Sequence, residues 1–346
     1  MTSMFDERDA AASDHALELL ARRIVAVIPT LNEAAHIEDC LRSLLCGSQY
    51  LACVQVVVSD GGSTDGTQEI VSKLREEFAN IALIDNPGRL QSAGVNAGAQ
   101  IAEYGRDILV RCDAHADYPA DYILKVAMKL EETGAASVVV PMDAQGTTCF
   151  QKANAWVVDT PLGSGGSAHR GGSMSGYVDH GHHAAFRLEH FLRLHGYDES
   201  FSHNEDAEYD ARLAKAGGKI YLDADIRVGY YPRTNLSGLW RQYFGYGRGR
   251  ARNLLKNEQR PRLRQLIPVI NLLLLFVSAL IFIFLPVAAI WPLFYTAVLL
   301  LVSLWFFLSK KSICGLWAGP ALATMHISWG LGFIAGVFAT MRSRSR

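Results

Sequence analysis

The 346 residues carry 33 Lys and Arg against 34 Asp and Glu, a formal net charge of −1, which excludes a general nucleic-acid binder. That length holds one large domain with roughly a hundred residues to spare. Cys40, Cys46, Cys53, Cys112, Cys149 and Cys314 show no CxxC pair and no regular spacing, so they read as thiols of a reducing compartment, not as a zinc site or a disulfide framework.

Residues 1–13 are polar and acidic without an apolar run. No secretory signal is expected there, and 1–21 reads as a lead-in. Ile24-Val25-Ala26-Val27-Ile28 predicts a buried strand, and the spacing of Ile37, Leu41 and Leu44 predicts a helix over 32–45. A second strand over 54–58 runs into the turn Asp60-Gly61-Gly62-Ser63-Thr64-Asp65-Gly66, followed by a helix through Ile70, Leu74 and Phe78. Strands over 81–84, 108–111 and 136–140 then alternate with helices over 91–102 and 122–130. Such alternation predicts an α/β fold with a mostly parallel sheet and ligands at the strands' carboxyl ends. The Gly- and Ser-rich stretch 163–176, with Arg170 in its middle, predicts a mobile loop. A helix over 205–216 and short strands over 219–222 and 226–231 follow.

The chain then changes character. From Arg227 to Arg264 ten Lys and Arg face one acid, Glu258. Within that region 236–255 sets Leu239, Trp240, Tyr243, Phe244 and Tyr246 among arginines, as a helix lying on a membrane surface would. Stretches 266–285, 287–308 and 315–340 are uncharged and each about long enough to cross ~30 Å of hydrocarbon. The third, with Pro320, His326 and several glycines, also fits a re-entrant or packed segment. Three full crossings from the cytoplasm would leave Arg342, Arg344 and Arg346 outside, against the positive-inside tendency; a re-entrant third segment removes that conflict.

Polar groups stand at the strand ends. Pro29-Thr30-Leu31-Asn32-Glu33 follows the first strand, Asp60 the second and Asp113 the fourth. Each Asp alone reads equally as a cap or turn residue. Together at one sheet edge they would bracket a nucleotide, with Asp60 accepting from a base N–H and Asp113 at a phosphate-bound metal. Asp113 and His115 end an apolar run abruptly, as a divalent-cation site would. Asp117 reads as a further carboxylate or as the N-cap of the helix after Pro119. His180, His182 and His183 look like metal ligands, yet on a strand His180 and His182 face one side and His183 the other. Lining an acceptor cleft is their plainer reading.

With Asn96-Ala97-Gly98 and Asn204-Glu205-Asp206 added to these segments, the chain resembles the inverting family 2 glycosyltransferases of the GT-A fold. Tyr231-Pro232-Arg233 and Arg241-Gln242-Tyr243-Phe244-Gly245-Tyr246-Gly247 give the nearest likeness to the succinoglycan-biosynthesis type. The resemblance implies a Rossmann-like, mostly parallel sheet with flanking helices, followed by C-terminal transmembrane helices. The catalytic domain would occupy 22–234, a basic amphipathic interfacial segment 235–264, two to three spans 265–341, and a basic tail 342–346.

The resemblance also implies a nucleotide-sugar donor. Asp60 would meet the uracil, Pro29, Thr30, Asn32 and Glu33 the base and ribose, and Arg89 the nucleotide's flank. The family's metal motif is Asp-x-Asp, and here His115 replaces the second carboxylate. Mg²⁺ prefers oxygen and Mn²⁺ accepts imidazole. Either His115 ligates the metal beside Asp113, or Asp113 works with water and diphosphate while His115 bonds a phosphate. Glu205-Asp206 matches the family's acidic pair, whose Asp is the general base. The implied activity is transfer of a hexose, glucose from UDP-glucose, to a polyprenyl-diphosphate-linked saccharide in bacterial exopolysaccharide assembly. Membrane lipids are expected partners and nucleic acid is not. The expected location is the bacterial inner (cytoplasmic) membrane, with the catalytic domain in the cytoplasm. Two rivals remain: a processive polysaccharide synthase, whose Gln-x-x-Arg-Trp motif is absent although Gln242 and Arg248 stand near its place, and an inactive nucleotide-sugar-binding scaffold subunit.

Overall fold

The computed structural model describes residues 14–166, 170 and 173–344. Positions 1–13 of the lead-in, 167–169 and 171–172 of the expected loop, and 345–346 of the basic tail lie outside the described residues. The chain forms two compact units.

The first unit takes the described part of Met1–Met142, with Gly172–Ser200 and Tyr209–Gly229. After a helix over 14–21 (α1), β1 (Ile24–Thr30), β2 (Gln55–Asp60), β3 (Ile81–Asp85) and β4 (Ile108–Arg111) run parallel in the order β3-β2-β1-β4. Every residue of β1 and β2 is buried, as parallel strands covered on both faces require. Alternation along β1 sends Ile24, Ala26 and Ile28 into one core layer and Val25 and Val27 into the other. The first layer takes side chains from α2 (Ile37–Leu44), α3 (Thr67–Glu77) and α5 (Tyr122–Thr133). The second takes them from α4 (Gln91–Gln100) and α8 (Leu188–Arg193). Helix α4 lies directly on β1: a Cβ at Gly98 would stand 2.5 Å from a Val27 methyl.

The sheet continues through β9 (His182–Arg187), β6 (Ser137–Val140), β10 (Ile220–Leu222) and β8 (Gly176–Val178). Four of its pairings are parallel, but β9 runs antiparallel to both β4 and β6, and β8 antiparallel to β10. A smaller sheet has the order β5 (Ala116–Asp117), β11 (Val228–Tyr230), β7 (Met142–Ala144).

The second unit holds Asp143–Gly171, Phe201–Glu208 and Tyr230–Arg346. Segments 143–171 and 201–208, which fall inside the expected 22–234 domain, therefore group with the C-terminal helices. The unit contains α6 (Cys149–Val158), α7 (Pro161–Ser164), the first turn of α9 (Glu205–Lys215), α10 (Leu236–Lys256), α11 (Leu263–Phe282), α12 (Ile290–Ser309) and α13 (Ala318–Arg344). Among the described residues, three helical segments, 263–282, 286–309 and 313–342, are long and apolar enough to span a membrane.

One sequence expectation changes here. Cys149 and Cys314 form a disulfide across a sequence separation of 165, so these two are not thiols; no local motif could have shown a pairing over that distance. Helix α10 packs along α13 at backbone contact. A Cβ at Gly247 would stand 2.1 Å from the Trp329 carbonyl oxygen, and one at Gly332 2.1 Å from that of Phe244. Small residues permit such an approach.

Candidate active site

In the first unit the polar strand ends meet at the carboxyl edge of β1, β2 and β4. The Asp60 carboxylate is buried and organises its own turn. Oδ1 accepts from the amides of Gly62 (2.9 Å) and Ser63 (2.8 Å) and from Gln68 Nε2 (2.6 Å). Oδ2 accepts from the hydroxyls of Ser63 (2.6 Å) and Thr30 (3.2 Å). Burial alone would raise the Asp60 pKa; the Ser63, Gln68 and Gly62 donors outweigh it and hold the carboxyl below its ordinary value. With five donors on four lone-pair sites, Asp60 is a loop former first.

The segment after β1 locks onto the same turn. Asn32 adopts φ 58°, a left-handed conformation that Asn tolerates better than most residues. Its amide donates to Ser63 Oγ at 2.8 Å, and its Oδ1 accepts from the Thr64 amide at 2.9 Å. The Glu33 amide donates to Thr67 Oγ1 at 2.9 Å. Pro29 closes against α4, where a Cβ at Gly94 would stand 2.8 Å from its own. Arg89, at φ 55° and exposed, lies beside this loop, its Cα 3.4 Å from a Cβ built at Gly61.

Asp113 sits two residues beyond β4, and Gln91 and Arg111 join the histidines around it. Gln91, the first residue of α4, donates to Oδ1 through Nε2, and Arg111 Nη2 lies 3.4 Å from the same oxygen. His182 Nε2 stands 3.7 Å from Oδ2. Burial works to raise the Asp113 pKa, but Arg111, His182 and His115 together hold it below the ordinary carboxylate value. His115 is 46% exposed in its side chain, and its Nδ1 pairs with Glu33 Oε1 at 3.0 Å. Asp117 is not the helix cap: it lies in β5, and the residue preceding α5 is Asp121, whose Oδ1 accepts from the Ser48 amide at 2.6 Å.

The three histidines also differ from expectation. His180 lies before β9 begins, so strand alternation does not govern it. His182 faces Asp113, while His180 and His183 converge on Asp210: His180 Nδ1 is 2.7 Å from Oδ2, and His183 Nε2 is 2.8 Å from Oδ1. His183 Nδ1 meets the Tyr197 hydroxyl at 2.6 Å, and Arg111 Nη1 donates to that hydroxyl at 3.2 Å. A buried hydrogen-bonded chain thus runs from Asp210 to Arg111 and so to Asp113. No group of three His, Cys, Asp or Glu side chains placed to hold a metal occurs among the described residues.

Glu205 and Asp206 belong to the second unit, in the first turn of α9, where the helix dipole favours carboxylates. Asp206 Oδ1 accepts from the Ala207 amide at 2.7 Å, and Glu205 is 9% exposed. Asn204, at φ 63°, donates to the Tyr246 carbonyl at 2.9 Å. Gln242 Nε2 donates to the hydroxyls of Tyr230 (3.1 Å) and Tyr246 (3.0 Å).

Residues 25–193 match the Glycosyl transferase family 2 profile, a span that includes Asp60 and Asp113 and stops short of Glu205. The chain is 44% identical over 316 residues to the succinoglycan biosynthesis protein ExoA of Rhizobium meliloti (strain 1021), covering 91% of this chain and 95% of that one. The protein belongs to glycosyl transferase family 2. It is therefore a glycosyltransferase. A dolichyl N-acetyl-alpha-D-glucosaminyl phosphate 3-beta-D-2,3-diacetamido-2,3-dideoxy-beta-D-glucuronosyltransferase of Methanococcus voltae is 28% identical over 235 residues, 65% of this chain and 71% of its own. Among solved structures, the mannosyltransferase PcManGT of Pyrobaculum calidifontis, in complex with GDP-Man and Mn²⁺, superposes with a TM-score of 0.57 at 20% identity, over 92% of this chain and 87% of its own. That likeness bears on the fold, which is the GT-A-like α/β arrangement that the resemblance implied.

Proposed function

We propose that the protein adds one hexose, glucose from UDP-glucose, to a polyprenyl-diphosphate-linked saccharide in bacterial exopolysaccharide assembly, with inversion at the anomeric carbon. The identity to ExoA along almost the whole chain carries this reading. The name of the archaeal relative, which contains a dolichyl-phosphate-linked sugar, supports a lipid-linked acceptor. In the proposed reaction the acceptor hydroxyl oxygen bonds to the anomeric carbon as the bond from that carbon to the diphosphate breaks. Asp206 takes the hydroxyl proton and UDP departs. The loop that Asp60 shapes receives the base, with Pro29, Thr30, Asn32, Glu33 and Arg89 around the nucleoside.

A divalent ion, Mg²⁺ or Mn²⁺, fits the donor set at Asp113. The Asp113 carboxylate with the His182 imidazole 3.7 Å away offers the oxygen and nitrogen donors such an ion accepts. Asp113 would hold it with one imidazole beside it, His182 or His115, and it would offset charge building on the leaving group. Arg111 and Gln91 keep the carboxylate in place. The test is transfer by membranes containing the protein, with labelled nucleotide sugars, a lipid-linked monosaccharide, and Mg²⁺ compared with Mn²⁺. One sugar per lipid supports the proposal. Long products indicate a synthase, and folded protein without transfer or donor hydrolysis indicates a scaffold.

For location we propose the inner membrane, catalytic side in the cytoplasm, with α11 and α12 as the two crossings. Helix α13 stays on the cytoplasmic side: 39% of its apolar window is buried against 6% in each of the other two. Its companion α10 carries Arg241, Arg248, Arg250 and Arg252, which are costly in hydrocarbon. The exposed thiol of Cys46 and an Arg342→Cys thiol should therefore both react with an impermeant maleimide from the cytoplasmic face alone. Labelling of the two from opposite faces would show that α13 crosses.

A further inference from the structure

The second unit contains a cluster of cations with no assigned role. The guanidinium of Arg170 lies 4.7 Å over the Tyr230 ring, and its Nη1 is buried without a hydrogen-bond partner. A buried, unsatisfied N–H is costly until a partner arrives. Tyr230 and Tyr246 share the Gln242 amide, and the Tyr246 ring packs at 5.9 Å against His203. His203 lies against α10, the helix of Arg248, where a Cβ at Gly245 would stand 2.7 Å from its Nε2, and burial, and after it the charges of Arg233 and Arg248, hold its pKa below the ordinary value. Neither Arg233 nor Arg248 makes an ion pair among the described residues. The carboxylates acting here include Asp159, on Arg170, and Asp206, on Tyr246.

We propose that Arg170, Arg233 and Arg248 form a phosphate-ester subsite that seats the anionic headgroup of the acceptor lipid beside Asp206. Guanidinium groups match phosphate oxygens with forked, charge-assisted hydrogen bonds, and an arriving phosphate supplies the acceptor that Arg170 Nη1 lacks. The position suits a lipid. Arg264, at the start of α11, donates through Nη1 to the carbonyls of Gly165 (3.2 Å) and Gly166 (2.7 Å), which ties those two glycines to the first residues of an apolar span. A diphosphate between a bilayer and its saccharide would lie at that level. The inference rests on Asp206 being the base of a lipid-directed transferase.

The test compares two acceptors of the same sugar, one on a polyprenyl diphosphate and one on an uncharged alkyl chain. Arg170→Gln and Arg233→Gln should raise KM for the diphosphate acceptor about 10- to 100-fold, the loss of one or two charged hydrogen bonds. Both should narrow the wild-type preference for that acceptor over the alkyl glycoside. Arg241→Gln, on the same helix as Arg248 but outside the cluster, serves as the unaffected control. Inorganic pyrophosphate and phosphatidylglycerol vesicles are added as competitors, separating a phosphate ester as such from bulk anionic lipid. Inhibition by vesicles alone overturns the subsite, as does a rise in donor KM, which would assign the cluster to the donor's diphosphate. An equal loss on both acceptors also overturns it. If wild-type protein transfers to neither acceptor, the transferase reading itself fails; if it uses both equally and the variants are silent, only the subsite fails.

Discussion

Asp206→Asn should lower kcat by about 10²–10⁴-fold, the range that a positioned general base contributes, while leaving KM for the donor in place. The substitution changes one atom. Asn keeps an oxygen to accept from the Ala207 amide, which now bonds Oδ1 at 2.7 Å. What it removes is the carboxylate that can take the acceptor's proton. Glu205 is the internal control: it is 9% exposed in the same turn and shares its electrostatic benefit, so a purely structural acidic turn would make the two Asn/Gln substitutions alike. The assignment requires them to differ. Single-turnover transfer with saturating donor reads the effect, and thermal unfolding confirms that the variants fold. Transfer by Asp206→Asn within a few-fold of wild type would move the base elsewhere.

The elements legible in the sequence were those whose signal is local. β1 and β4 are apolar runs that end abruptly in polar residues, and each was found close to its observed limits. Asp60 and its glycine-rich turn sit together in the chain, so their association could be read directly. The surroundings of Asp113 could not. Gln91 comes from 22 residues earlier, and His182 from a strand inserted antiparallel between β4 and β6. Nothing in Gln91-Ser92-Ala93 marks a ligand-facing residue, because its role arises only when α4 is laid on β1. The histidine triplet misled for a related reason: alternation applies inside a strand, and β9 starts at His182, which frees His180 to join His183 on Asp210. The glycines of α10 likewise look like weak points in a helix until α13 is beside them.

Asp113→Asn should lower kcat/KM by about 10²–10³-fold, comparable to losing a principal electrostatic stabiliser, and should abolish activation by added Mn²⁺ or Mg²⁺. Asp113 is the one carboxylate at the centre of the proposed metal set, and a neutral amide binds a divalent ion far more weakly. The variant also disturbs its neighbours. Arg111 loses the carboxylate 3.4 Å from its Nη2, and Gln91 Nε2 faces an amide that must turn its oxygen to accept. Removing one member of a buried ion pair can cost ~3–5 kcal/mol, so part of any activity loss could come from unfolding. Metal dependence separates the two effects. Destabilised but correctly assigned protein keeps no metal response at a temperature where it is folded, whereas damage to folding alone scales activity down without moving the metal midpoint. His182→Gln and His115→Gln then divide the set between them. His182, 3.7 Å from Asp113 Oδ2, should shift the metal midpoint more than His115, whose Nδ1 is engaged by Glu33 at 3.0 Å. A midpoint unchanged in Asp113→Asn would remove the metal from this strand end and leave Asp113 the structural partner of Arg111.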